Sequence, residues 1–181
     1  MRVAVYGGSF NPPHVGHAMV AAWIGWTGRA DEVWFLPAYR HAFDKPLAPW
    51  DVRLRMTEAL ASAVGPHARV EPIEATLPVP SYTIHTLEAL AARHPEHQFR
   101  LVVGADVLPQ LSLWKDSERL TATFPLLVVG REGYGPVAFA PSFPDISSTD
   151  VRARIAAGHP VDHLLPRAVH ALVEAHGLYR D

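Results

Sequence analysis

Cysteine is absent from this chain, and so are a membrane-length apolar run, a low-complexity tract and an internal repeat. Without cysteine there are no disulfides and no thiolate metal ligands, and a reducing, cytoplasmic setting is expected. The apolar stretch after Arg2 is only a strand long, so neither a secretory leader, a spanning helix nor a membrane partner is expected. Charge of either sign is sparse. Sixteen Lys and Arg against eighteen Asp and Glu leave a formal net charge of −2, which argues against a surface that coats nucleic acid while still allowing a local basic pocket. What is present is ordinary globular material: 181 residues, 49% hydrophobic, enough for one domain over residues 1–181 with a real core.

The most informative stretch is Val3-Ala4-Val5-Tyr6-Gly7-Gly8-Ser9-Phe10-Asn11-Pro12-Pro13-His14-Val15-Gly16-His17. An apolar strand runs into a glycine pair, a turn and two histidines, then into an apolar helical pattern. Glycines let backbone N–H groups approach an anion closely. A helix starting near Gly16 aims its free N–H groups and positive dipole end at the same place. His14 and His17 can then donate hydrogen bonds to phosphate oxygens. Taken singly, each part has a plainer reading: a glycine pair after a strand is a common turn, and His-x-x-His can be half of a metal site that lacks its other ligands. The order of the parts points to phosphate, through neither of the familiar glycine-rich fingerprints.

Along the chain, strand and helix patterns alternate. Strands are predicted at Arg2–Tyr6, Glu32–Leu36, Val70–Glu74, Phe99–Val103 and Pro125–Val129, with a short one at Val137–Ala140 in the proline-rich stretch 130–144. Helices are predicted at Gly16–Trp26, Trp50–Val64, Ser81–Arg93 with Ser81 as cap, Asp116–Thr121, Thr149–Ala157 and Pro166–His176. Val20, Trp23, Ile24, Leu54, Met56, Leu60 and Ala61 are the core positions read from helical spacing. The fold class is α/β, a Rossmann-like doubly wound parallel sheet in a single domain with C-terminal helices. Ligands then sit beyond the carboxyl ends of the strands, where the opening run and Gly104-Ala105-Asp106 both fall.

A second run, Asp145-Ile146-Ser147-Ser148-Thr149-Asp150-Val151-Arg152, precedes a helix. Its hydroxyls suit helix capping. Together with free helix N–H groups and an arginine one turn in, they also suit a polyphosphate.

Gly8-Ser9-Phe10-Asn11-Pro12-Pro13-His14-Val15-Gly16-His17 resembles the first-loop signature of the nucleotidyltransferase superfamily, and Ile146–Arg152 resembles its Ile-Ser-Ser-Thr-x-(Ile/Val)-Arg motif. Ser81-Tyr82-Thr83-Ile84-His85-Thr86-Leu87, Gly104-Ala105-Asp106-Val107-Leu108, Leu113-Trp114-Lys115 and the strand ending at Arg131 are similar to segments of the nicotinate-nucleotide adenylyltransferases, and the resemblance runs over essentially the whole chain. It implies transfer of AMP from ATP to nicotinate mononucleotide, with release of pyrophosphate, in NAD biosynthesis. By that resemblance His14 and His17 are catalytic. ATP would be held by Gly7, Gly8, Ser9, Phe10, Lys45, Gly104, Asp106, Ile146, Ser147, Ser148 and Arg152. The mononucleotide would meet Tyr82, Thr83, Trp114 and Arg131, with Trp114 stacked on the pyridine ring. The cofactor implied is Mg2+ carried with ATP, with no dedicated protein cage.

Two departures from the family pattern stand out. Position 11 is asparagine where many relatives have aspartate. The Pro37–Pro46 loop lacks the usual Pro-His-Lys, so Lys45 is taken as its basic residue, with Arg40 and His41 as competitors. Nicotinamide mononucleotide and phosphopantetheine are the alternative acceptors, and a nucleotide-binding module without turnover is the alternative from another class. Trp26 and Trp50 are candidates for a homo-oligomer interface, with packing into the core expected first.

Overall fold

Parallel strands buried on both faces read as continuous apolar runs, and the four longer strands of this sheet do so along most of their length. The computed structural model describes residues 1–40 and 47–180. In chain order these form β1 (Arg2–Gly8), α1 (Val15–Trp26), β2 (Glu32–Pro37), α2 (Trp50–Val64), β3 (Ala68–Val70), α3 (Thr83–Arg93), β4 (Gln98–Gly104), α4 (Ser117–Thr123), β5 (Leu126–Arg131), β6 (Ser142–Phe143), α5 (Ser148–Ala156) and α6 (Arg167–Ala175). Short 3-10 helices occupy Ile73–Thr76 and Leu108–Leu113. The sheet order is β3-β2-β1-β4-β5-β6 and every pairing is parallel. Strand order reverses between β1 and β4, which makes their carboxyl ends the place for a ligand crevice.

Alternation along each strand divides the core in two. Ala4, Val33, Phe35, Val102, Leu127 and Val129 face one layer, where Val20 and Ile24 of α1, Met56 and Leu60 of α2, Val151 of α5 and Val169 and Val173 of α6 pack. Val3, Val5, Trp34, Leu36, Leu101 and Val103 face the other, against Ile84, Leu87 and Leu90 of α3 and Leu120 of α4. This two-sided burial is the doubly wound arrangement expected from the sequence.

Several local expectations are corrected. The third strand ends at Val70, not Glu74. Glu71 N–H still donates to Phe35 O at 2.9 Å, but Pro72 has no N–H to continue the ladder, and the chain turns into a 3-10 helix that buries Ile73 and Glu74. No strand forms at Val137–Ala140. The sixth strand lies at Ser142–Phe143, where Pro141 O comes so close to Gly130 that a Cβ there would sit 2.5 Å away. Ser81 does not cap α3; Tyr82 occupies that position and makes no side-chain cap bond. Leu54 is only half-buried, and its neighbour Arg53 takes the core position at 1% exposure. Trp26 is not packed inside: it is 78% exposed.

Candidate active site

A cleft of about 330 Å³ opens at the carboxyl ends of β1, β4 and β5. Its walls include Gly7, His14, His17, Gly104, Asp106, Trp114, Arg131, Ile146, Ser147 and Ser148. Two segments far apart in sequence are thus brought to one edge of the sheet.

Gly7 is the open part of this wall. A Cβ placed on it would meet no atom within 4 Å, so the room above its backbone is left to a ligand. Gly8 has a different reason, since a Cβ there would press on the Phe10 ring at 3.2 Å. Phe10 itself is 1% exposed and does not line the cleft; its ring packs edge-on to His17 with centroids 5.0 Å apart. Ser9 contributes its carbonyl to a buried arginine, described below.

His14 and His17 stack with ring centroids 3.7 Å apart. The backbone N–H of His14 donates to His17 Nδ1 at 3.1 Å. An accepting Nδ1 puts the proton of a neutral imidazole on Nε2, so His17 offers an Nε2–H donor. Burial pushes the His14 pKa down to about 4, with the Arg131 charge adding to the shift. Burial, then His14, then Arg131 drive His17 well below its ordinary value as well. Both rings are therefore neutral near pH 7. Gly16 is required by this packing, because a Cβ would stand 3.0 Å from His14 Nδ1.

Arg131 ties the opposite wall together. Its Nη1 donates to Asp106 Oδ2 at 2.6 Å, its Nε to Asp145 Oδ1 at 2.8 Å and its Nη2 to Ile146 O at 3.3 Å. Burial disfavours its charge, but the Asp145 hydrogen bond and the two carboxylates outweigh that and raise its pKa. Asp106 in turn folds back over Gly104, where a Cβ would lie 2.3 Å from Oδ1.

The Ile146–Arg152 segment spends its polar groups on the first loop. Ser147 Oγ caps α5 by accepting from Asp150 N–H at 3.0 Å. Ser148 Oγ donates to Pro12 O at 2.8 Å, and Arg152 Nη1 donates to Asn11 O at 2.8 Å. Arg152 lines an adjoining recess with Asn11, Ala48 and Tyr179, not the histidine cleft. Asn11 Oδ1 accepts from Tyr179 Oη at 2.8 Å and from Ala48 N–H at 3.1 Å. The amide oxygen does here what a carboxylate could do, without its charge.

Trp114 reaches the cleft wall while packing on the α3 side of the sheet. Tyr82 and Thr83 stand at the start of α3, half-buried, and do not join it there. Lys45 and His41 lie outside the described residues. Arg40 is exposed, its carbonyl accepting from Ser81 N–H at 3.3 Å.

Sequence reasoning missed Arg53. Its guanidinium donates to Ala48 O at 3.0 Å, Ser9 O at 3.0 Å, Ala38 O at 2.8 Å and Tyr39 O at 3.3 Å. Glu74 takes Tyr39 N–H at 3.0 Å from the other side, and burial raises its pKa. One side chain thus holds the loop after β1 and both flanks of the loop after β2. The available signal was an arginine spaced with Met56 and Leu60 on an otherwise apolar helix face. Tyr179 was also missed, and nothing in its local sequence marks its bond to Asn11.

A cleft at the β1/β4 switch point, two neutral histidines and an open glycine edge stand together, and residues 5–154 match the family model described as Cytidylyltransferase-like. A protein of Anaeromyxobacter sp. (strain K) named "Probable nicotinate-nucleotide adenylyltransferase" is 48% identical over 181 residues, covering 99% of this chain and 97% of its own length. The chain belongs to the nicotinate-nucleotide adenylyltransferase branch of the cytidylyltransferase-like family. A Myxococcus xanthus protein of the same name is 37% identical, with 99% and 95% covered. Among solved structures, the Plasmodium falciparum nicotinic acid mononucleotide adenylyltransferase complexed with NaAD superposes with a TM-score of 0.84 at 18% identity, covering 98% of this chain and 97% of that one. At that identity the likeness concerns the fold, and it is the Rossmann-like nucleotidyltransferase fold. Among the described residues no helix is long and apolar enough to cross a membrane.

Proposed function

We propose that the chain is a nicotinate-nucleotide adenylyltransferase, transferring AMP from ATP to nicotinate mononucleotide to give nicotinate adenine dinucleotide and pyrophosphate in NAD biosynthesis. The observation that carries this reading is His17, its Nε2–H donor set by the His14 backbone N–H, facing the cleft beside the open backbone of Gly7.

An ionised 5′-phosphate is already a nucleophile. Its oxygen attacks the α-phosphorus of ATP in line, one P–O bond forms, and the bond to the β-phosphate oxygen breaks as pyrophosphate leaves. No base and no covalent enzyme intermediate are needed, so positioning and charge stabilisation carry the catalysis. His17 Nε2–H and His14 donate to the phosphates, and the Gly7 backbone gives them close approach. Neutral imidazoles suit this task, since they donate without forming a permanent ion pair that would hold the product.

Asp106 in the cleft and Asp145 beside it are both paired with Arg131, so these two carboxylates are not poised as a metal cage. A divalent cation, Mg2+ in this reading, would be carried by the triphosphate and would supply charge neutralisation at its oxygens. Ser148 and Arg152 hold the first loop in shape for ATP. Arg131 keeps Asp106 and Ile146 in place, which leaves Trp114, with Tyr82 and Thr83, to meet the pyridine nucleotide.

The deciding experiment measures Mg2+-dependent pyrophosphate release from ATP with nicotinate mononucleotide, nicotinamide mononucleotide and phosphopantetheine in turn. Fastest release with the first supports the proposal. A different best acceptor renames the enzyme, and no release with any of them leaves a binding module.

A further inference from the structure

At the amino end of the sheet, opposite the cleft, the turn between α3 and β4 brings two imidazoles and a carboxylate together. One ring nitrogen each of His94 and His97 and a carboxylate oxygen of Glu96 all lie within 4.8 Å of one another, with His94 Nδ1 and His97 Nε2 the nitrogens nearest Glu96 Oε1. The geometry points to a site for a divalent transition ion of the zinc class, bound by these three atoms, and we propose it as a second ligand site independent of the reaction.

The rings are preset. They are parallel to within 5°, centroids 5.5 Å apart. Both meet Trp34 edge-to-face, at 5.3 and 5.7 Å, and His97 also packs on Phe99 at 6.1 Å. Trp34 is fully buried and its Nε1–H is bound to Glu32 at 2.6 Å, so this backing does not swing. The turn is closed by His97 N–H to His94 O at 3.0 Å and joined to α3 by His94 N–H to Leu90 O at 2.9 Å.

Ligand spacing agrees with a tetrahedral ion. Zinc–nitrogen bonds of about 2.0 Å imply ligand–ligand edges of about 3.3 Å. His97 Nε2 is already 3.3 Å from Glu96 Oε1, and His94 Nδ1 is 3.8 Å away. That second distance is too long for a hydrogen bond, so His94 turns a ring nitrogen toward the carboxylate without bonding it. His97 Nδ1 is buried with no partner, which leaves Nε2 as the nitrogen that can meet an outside group. Glu96 is exposed, so its side chain can adjust toward an ion. Two imidazole nitrogens and one oxygen favour Zn2+, Co2+ or Ni2+ over Mg2+, which prefers an all-oxygen octahedron. The site therefore does not compete for the cation that travels with ATP. Bound there, an ion would clamp the end of α3 to the start of β4.

The test uses the untagged, chelator-stripped full chain. Zn2+ titration calorimetry is expected to give one ion per chain, Co2+ a visible absorption band of low symmetry, and Zn2+ a raised thermal midpoint. Loss of a direct ligand in His97→Gln or Glu96→Gln should weaken binding by about tenfold or more, given that outer-shell changes alone reach that scale. Turnover with MgATP should stay at the parent level in both variants. Glu96 is exposed, so its variant keeps the test usable if His97→Gln folds poorly. A His14→Asn/His17→Asn double variant should bind Zn2+ as the parent does. Absence of binding, displacement by millimolar Mg2+, or binding that is lost in the His14/His17 variant and kept in His97→Gln would each overturn the proposal.

Discussion

Arg131 Nη1 lies 2.6 Å from Asp106 Oδ2, joining the end of β5 to the turn after β4 across the floor of the cleft. The same guanidinium depresses both cleft histidines. Arg131→Gln should therefore raise the His14 pKa from about 4 toward its ordinary value, as followed by NMR titration of the ring protons. Burial is the larger cause, so the return is partial. An unmoved His14 titration would remove Arg131 from the electrostatics of the site.

His17→Ala removes the Nε2–H donor. Loss of one transition-state donor typically costs on the order of a hundredfold or more in turnover. Near-normal turnover in steady-state assays at saturating ATP and mononucleotide would refute its catalytic role.

Gly7 and Gly16 predict opposite outcomes for the same substitution. Gly7→Ala meets no protein atom, so its thermal midpoint should match the parent while KM for ATP rises, because the methyl occupies the space left to phosphate. Gly16→Ala crowds His14 at 3.0 Å and should lower turnover by displacing the stacked pair. Thermal melts beside kinetics separate the two.

Stability should fall as the medium is acidified from about pH 6.5 to about pH 4. His14 has a folded pKa near 4 against 6.5 unfolded, so between those values the unfolded chain binds more protons and protonation favours it. Its full contribution is on the order of 3 kcal/mol, present above the unfolded pKa and lost toward the folded one. His17 acts with the same sign, and the raised pKa of buried Glu74 acts against it. Urea unfolding of the parent and His14→Gln across this window isolates the histidine, whose removal should flatten the slope.

Trp114→Ala should raise KM for the mononucleotide and leave KM for ATP alone. A change confined to ATP would move the pyridine pocket elsewhere.

Much of this molecule could be read before the fold was known because its signals are local. Strand-helix alternation gave the doubly wound sheet, and the Gly7–His17 run and Ile146–Ser148 both reach the cleft. What escaped depends on contacts between distant segments. The early end of β3 hangs on Pro72, which has no N–H to continue the ladder beyond the bond from Glu71 to Phe35. No local pattern marks the bonds from Ser148 and Arg152 to the carbonyls of Pro12 and Asn11. Arg53 escaped because its role rests on four carbonyls from two loops that only the fold brings around it.

The bond from Tyr179 to Asn11 spans almost the whole sequence. The loop after β1 is therefore braced by a residue outside the sheet, and a chain lacking Tyr179 could form β1 to β5 without the finished shape of that edge. Truncation a few residues before Tyr179 should leave an assembled sheet that discriminates poorly between ATP and no ligand at all.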